Sequence, residues 1–205
     1  MNLKNQFDQL CSLFTKDQQL INSLWKEIEI QYSEKRRHYH NLLHLENMFN
    51  ELEMVKSNIS DFTAISFSVF YHDVIYDAPS KTNEEKSAAK AEKRLAELHL
   101  DKNKISIISE QILATKSHQR CDQEDTNYLL DADLSVLGKD FTTYLEYTQN
   151  IRKEYSIYPD FLYKPGRKKV LRHFLELESI FKTDYFKQKY EAQARKNIAE
   201  ELHLL

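Results

Sequence analysis

Apolar residues recur at helical spacing along almost the whole chain, and strict alternation of the strand type is absent. Phe7, Leu10, Leu13 and Phe14, then Leu20, Ile21, Leu24, Trp25 and Ile28, carry that spacing over 5–32, with a break near Thr15-Lys16-Asp17. A second segment, 37–58, places Leu42, Leu45, Met48, Phe49, Leu52 and Val55 on one arc. The third, 61–76, contains the apolar run from Ile65 to Val69 and is expected to be buried, and Pro79 forbids its continuation. Thr82 or Asn83 is expected to cap the next helix, because Glu84 and Glu85 in its first turn suit the helix dipole. Further helices are predicted over 102–116, 123–137, 141–155, 166–181 and 184–205, with Tyr158-Pro159 and Pro165-Gly166 as breaks. No repeat, low-complexity tract or linker divides the chain. The pattern therefore predicts one domain over 1–205.

Composition narrows the class. Two glycines and three prolines in 205 residues leave little of the turn chemistry that hairpins and sheets need, so an all-α bundle is expected. The 29 basic and 32 acidic residues nearly cancel and form no strongly basic block, which disfavours nucleic-acid binding through phosphate contacts. Cys11 and Cys121 make neither a disulfide framework nor a thiolate zinc motif, and a reducing cytoplasm is the expected compartment. The first residues lack the apolar core of a signal peptide, and no run approaches the length of a membrane span.

The chemistry begins with His72-Asp73, at the end of the apolar run of the third helix. Two hydrophilic, metal-competent groups in such a place are costly unless something satisfies them, and a divalent cation would do so. His40 and His44 lie four residues apart at the edge of the second helix's apolar arc, a spacing that stacks two imidazoles on one side. The plainer alternative is a pair of surface histidines bonded to acids or water. Arg37 could meet an anionic substrate bidentately, whereas Lys35 and Arg36 read as a solvated charge run. Glu84 caps a helix and could also face a metal across the short link that returns the chain to the doublet. Lys116 and His118 gather at the end of the helix over 102–116, where the dipole by itself would already favour a cation. Asp133 falls on the stripe of Leu129, Leu130, Leu134 and Leu137, so its carboxylate is expected inside the bundle. Asp131 falls near Asn127 and Ser135 and is expected to be solvated or to orient a histidine.

The order His44, His72-Asp73, Asp133 on separate helices resembles the HD superfamily of metal-dependent phosphohydrolases. More narrowly, Arg37-His38-Tyr39-His40-Asn41-Leu42-Leu43-His44, Tyr71-His72-Asp73-Val74-Ile75-Tyr76-Asp77, Asn83-Glu84-Glu85-Lys86-Ser87-Ala88 and Leu130-Asp131-Ala132-Asp133-Leu134-Ser135 resemble a subgroup of small bacterial HD phosphohydrolases. The resemblance covers nearly the whole chain, since Ile151-Arg152-Lys153-Glu154-Tyr155, Gly166-Arg167 and Ala194-Arg195-Lys196-Asn197 share it. It implies a metal-site core over about 35–140, closed by helices over 141–205. It also implies a cation held by His44, His72, Asp73 and Asp133, a water oriented or deprotonated by Asp73 or Glu84, and a phosphoryl group met by His40, His118, Lys116 and Arg37. The mixed nitrogen and oxygen donors suit Mn²⁺, Fe²⁺, Co²⁺, Ni²⁺ or Zn²⁺ better than Mg²⁺. A lysine common soon after the doublet in better-known branches is replaced here by Val74-Ile75-Tyr76. The implied substrate is a nucleotide or another small phosphorylated metabolite. The rivals are a regulator that binds metal or nucleotide without turnover, and a helical protein whose acids and histidines pair only with each other. Substrate identity and oligomeric state are not set by these motifs.

Overall fold

In the computed structural model, which describes residues 2–205, ten α-helices and no strands occur among the described residues. They are α1 (Leu3–Cys11), α2 (Gln18–Tyr32), α3 (Leu42–Met54), α4 (Phe62–Tyr71), α5 (Asn83–Glu97), α6 (Lys102–Ala114), α7 (Glu124–Leu134), α8 (Phe141–Glu154), α9 (Asp160–Glu176) and α10 (Asp184–Leu204). Short 3₁₀ turns follow α3 and α7. The bundle is organised around α4, in which every residue from Ala64 to Tyr71 is buried. A helix apolar on all sides needs partners on all sides. It finds them in α3, α5, α6 and α7, and its Ser66 and Ser68 hydroxyls are satisfied by the Phe62 carbonyl and by Gln111. One continuous core runs from Leu3 of α1 to Ile198 of α10, so the chain is a single all-α domain. No helix among the described residues is long and apolar enough to cross a membrane.

Aspartates and an asparagine start the helices as capping chemistry requires. Asp17, Asn41, Asp61, Asp101 and Asp140 each accept a backbone N–H from the first turn of α2, α3, α4, α6 and α8. Three boundaries differ from the sequence expectation. The second segment is not helical from residue 37: Asn41 caps α3, so His40 precedes the helix and does not stack on His44 by helical spacing. Helix α4 ends at Tyr71, with His72 as its C-cap, rather than running to residue 76. Helix α9 begins after Pro159 and passes through Pro165-Gly166. Pro165 is tolerated because the hydrogen bond it cannot donate would go to the carbonyl of Phe161, which is exposed to water.

The 3₁₀ turn Ser135–Gly138 lies directly on α10. Asn197 donates to the Leu137 and Lys139 carbonyls at 2.9 and 2.8 Å, and Gly138 allows the approach. A Cβ at Gly138 would stand 2.7 Å from the Tyr190 carbonyl oxygen and closer still to its Cβ. Gly138→Ala is therefore expected to lower unfolding stability by about 1–3 kcal/mol through overpacking, measured by urea denaturation. An unchanged midpoint would show that α10 shifts without strain.

Candidate metal centre

Four segments bring the histidines and acids together. His44 lies in the first turn of α3 and is buried, its Nε2 3.3 Å from His72 Nε2 and 3.0 Å from Asp133 Oδ1. His72, at the C-cap of α4, has its Nδ1 2.9 Å from the carbonyl of Val69, one of the acceptors left open at a helix end. Only a protonated Nδ1 can donate there, so it is Nε2 that faces the cluster, the arrangement that orients an imidazole toward a metal. His72 Nε2 lies 4.0 Å from Asp133 Oδ1. One donor atom from each of His44, His72 and Asp133 falls within 4.8 Å of the others. Separations of 3.0–4.0 Å are those of donors about 2.0–2.2 Å from one common ion. This buried His-His-Asp group can hold a metal ion, and its donor set fits the borderline divalent metals. Asp73 stands at its edge, with Oδ2 3.2 Å from His72 Nε2 and 3.9 Å from His40 Nε2.

The backbone that carries the doublet is clamped from three directions. The Asp73 N–H donates to the Tyr32 hydroxyl of α2 at 3.2 Å. Arg37 donates to the carbonyls of Asp73 at 2.6 Å, Val74 at 3.1 Å and His40 at 3.3 Å. From α5, Ser87 bonds both backbone groups of Ile75, and Asn83 bonds both of Asp77. Arg37 is thus corrected from a substrate contact to a positioning residue: it is buried, and both of its Nη groups are committed to the loop it braces, while its Nε is buried without a partner. Asn83 is likewise spent on the loop, and α5 has no side-chain cap at Thr82.

His118 reaches the centre from beyond α6 in the left-handed region, φ 49°, which a residue other than glycine enters at a cost. That conformation sets its Nε2 2.7 Å from Asp133 Oδ2. Lys116 is more exposed and pairs with Glu85 and the Lys81 carbonyl at the cavity rim, so its charge is already matched. Glu84 lines the same cavity. His40 is held by Glu154 of α8, whose carboxylate accepts the Tyr39 and His40 N–H groups at 2.7 and 3.0 Å and meets His40 Nδ1 at 2.7 Å and the Tyr76 hydroxyl at 2.9 Å. Tyr76 also stacks on the His40 ring, 4.2 Å between centroids. Glu154 is absent from the candidates read by motif chemistry. An acid in the last turn of a helix opposes the dipole, and that mismatch is the signal that marks it.

Charge is distributed accordingly. Burial alone would lower the His72 imidazole, but the charge and hydrogen bond of Asp73, then the charge of Asp133, push it up to about 9. Burial opposes ionisation of Asp73 and Asp133, yet His72 and His40 hold the first far below the carboxylate range, and His118 and His44 hold the second there. Burial lowers His44 against the pull of Asp133. Burial would lower His40, but the Glu154 hydrogen bond together with the charges of Asp73, Glu154 and Asp133 raises it, and against its own burial Glu154 is brought down to about 2 by His40 and the two backbone N–H groups. Two ionised carboxylates thus flank a proton on His72, a positive charge where a divalent cation would compete.

Asp131 is not the solvated acid expected. It is fully buried and accepts from the Lys182 N–H at 2.8 Å, the Thr183 N–H at 2.7 Å and the Thr183 hydroxyl at 2.8 Å. Asp133 is the more accessible of the two. Above the centre opens a cavity of about 1080 Å³, floored by His72, Asp73, His118 and Asp133 and walled by α8 and α9. No family model, curated protein or solved structure matches the chain.

Proposed function

We propose that this chain is a metal-dependent phosphohydrolase of the HD type, acting on a nucleotide or another small phosphorylated metabolite. The observation that carries the reading is the convergence of His44, His72 and Asp133, with Asp73 beside them, where His72, Asp73 and Asp133 floor a substrate-sized cavity. The motif resemblance along the chain supports the same reading. A divalent cation of the Mn²⁺ to Zn²⁺ series, bound there, supplies Lewis-acid polarisation of a phosphoryl oxygen and acidifies a water. The chain's own groups do the rest. His44, His72 and Asp133 bind, and Asp73 with Glu84 orients the attacking water and takes its proton. His118 and His40 face the charge that develops on the phosphoryl group. Arg37 and Glu154 hold those groups in register without touching substrate. The free thiols of Cys11 and Cys121 accord with a reducing cytoplasm.

The test is phosphate release from a panel of monoesters, diesters and anhydrides, with Mn²⁺, Ni²⁺ or Zn²⁺ added and with chelator. Release from at least one compound, abolished by chelator and restored by metal, is expected. Activity that survives chelation would refute the metal mechanism. A metal content well below one per chain that added Mn²⁺ or Ni²⁺ does not restore would refute the centre itself. Nucleotide-induced thermal stabilisation without any release would make the chain a binding regulator instead.

A further inference from the structure

The loop before α3 carries one ring to which the hydrolase reading gives no task. Tyr39 stands between Arg37 and His40, and its backbone is fixed at both ends: its N–H donates to Glu154 Oε1 at 2.7 Å, and its carbonyl accepts the Asn41 N–H at 2.8 Å. The ring is fixed as well. Its centroid lies 5.0 Å from that of His40 at 84°, 4.9 Å from that of His44 at 46° and 4.7 Å from that of Tyr147 at 72°. Edge-on and tilted contacts with three rings hold an aromatic side chain in one orientation. Tyr39 is therefore placed by the same acid that places His40, and it packs on the imidazole of His44.

Among the tyrosines around the centre, Tyr39 has the uncommitted hydroxyl. Tyr32 accepts the Asp73 N–H, Tyr76 donates to Glu154, and Tyr147 accepts from Arg167. The Tyr39 hydroxyl makes no hydrogen bond among the described residues, yet it is not enclosed, unlike the unpaired Tyr71 hydroxyl in the core. Because Tyr39 lines the cavity above the centre, its hydroxyl opens there. A phenol packed among rings normally finds a partner, so an unused donor facing a cavity marks a place for a ligand atom. The other donors near the centre are engaged: His40 meets Glu154, His118 meets Asp133, and Lys116 meets Glu85. Lys169 and His173 line the cavity from α9 and make no ion pair with these acids among the described residues. A phenol is protonated at neutral pH. Burial, then Tyr147 and the charges of Asp133, Asp73 and Glu154, hold this one further from ionising. It can donate to an anion without first being released from a carboxylate.

We infer that the Tyr39 hydroxyl donates a hydrogen bond to a nonbridging oxygen of the phosphoryl group under attack, which makes Tyr39 a catalytic residue of the proposed hydrolysis. This rests on the hydrolase reading above. In the reaction the water oxygen forms the new P–O bond, and the ester or anhydride P–O bond breaks with its electron pair on the departing oxygen. The proton taken from the water by Asp73 and Glu84 passes to that oxygen, and Tyr39 keeps its own.

Tyr39→Phe tests this on the full chain, because it keeps the ring against His40, His44 and Tyr147 and removes only the donor. Metal content and Tm should match the wild type. With any compound that the wild type hydrolyses, kcat should fall by about a hundredfold with little change in KM, as for loss of one donor to developing charge. A ring needed only for packing would leave Tyr39→Phe fully active and disable Tyr39→Ala alone, and that result overturns the inference while the hydrolase reading stands. Loss of the metal in Tyr39→Phe would overturn it too, since the hydroxyl would then serve the centre and not the phosphoryl group. A second measurement needs no turnover. Orthovanadate, titrated calorimetrically into Ni²⁺-loaded protein, should bind Tyr39→Phe about tenfold more weakly than the wild type. No release from any compound by the wild type would refute the hydrolase reading, and the vanadate titration would then decide the donor alone. Equal affinity in the two proteins, or no binding to either, overturns it.

Discussion

His44→Ala should strip the divalent cation from the protein, with affinity falling on the order of a hundredfold or more, because it removes one of three converging donors and leaves Asp133 bound mainly to His118. Asp133→Asn should do the same by a different route. It keeps the shape and loses the charge that both His44 and His118 contact. His40→Ala and Glu154→Gln are expected to behave otherwise. The nearest candidate ligand to His40 is Asp73, 3.9 Å from its Nε2. Glu154 acts through His40, so both variants should retain most of the metal and lose turnover. Elemental analysis of protein purified without a histidine tag, read beside the melting temperature, separates these outcomes. Equal metal loss in His40→Ala and His44→Ala would make the two histidines joint ligands. Full occupancy in Asp133→Asn would remove Asp133 from the set.

Asp131→Ala should cost about 3–5 kcal/mol of folding stability, the range for breaking one side of a buried charged network. Its carboxylate is the acceptor for two buried backbone N–H groups and one buried hydroxyl, all on the segment that joins α9 to α10. Each group left unpaired carries a penalty of about 1–3 kcal/mol. Lys182 Nζ, 3.9 Å away and bonded to the Ile180 carbonyl, would lose its nearby counter-charge as well. For a domain of this size, that loss corresponds to a fall of roughly 10 °C in Tm. Metal content per folded molecule should stay unchanged below the transition. A loss under about 1 kcal/mol would show that the α9–α10 segment finds other partners. Metal loss with unaltered stability would instead place Asp131 among the ligands.

The two aspartates show why local periodicity reaches only so far. A stripe analysis supposes one buried face and one wet face, and on that supposition Asp133 goes inside and Asp131 outside. Helix α7 breaks the supposition, because α3, α4 and α6 cover one side and residues 182–183 cover another. Asp131 is fully buried and Asp133 opens on the cavity, and what distinguishes the acids further is the identity of their neighbours. Asp131 meets backbone N–H groups and Asp133 meets imidazoles. The same limit applies to Arg37. From its neighbours in the chain it is a free cation before a helix, but two of the three carbonyls it donates to belong to residues 36 and 37 positions further on.

Features whose cause is local were legible. An apolar run with few polar interruptions makes α4 the buried centre, and the shortage of glycine and proline excludes a hairpin-rich sheet. The doublet His72-Asp73 and the distal His44 and Asp133 were legible as chemistry, since metal-competent side chains among apolar residues require compensation wherever they meet. Their meeting point is a different matter. It depends on Asn41 starting α3 after His40 and on α4 stopping at Tyr71 so that Val69 can take the His72 Nδ1 proton. It depends also on Glu154 arriving from 114 residues away to hold His40. Capping and periodicity are properties of a few adjacent residues and can be read along a chain. The partner of a buried charge is selected by which helices pack against which, and only the folded arrangement of α3, α4, α7 and α8 decides it.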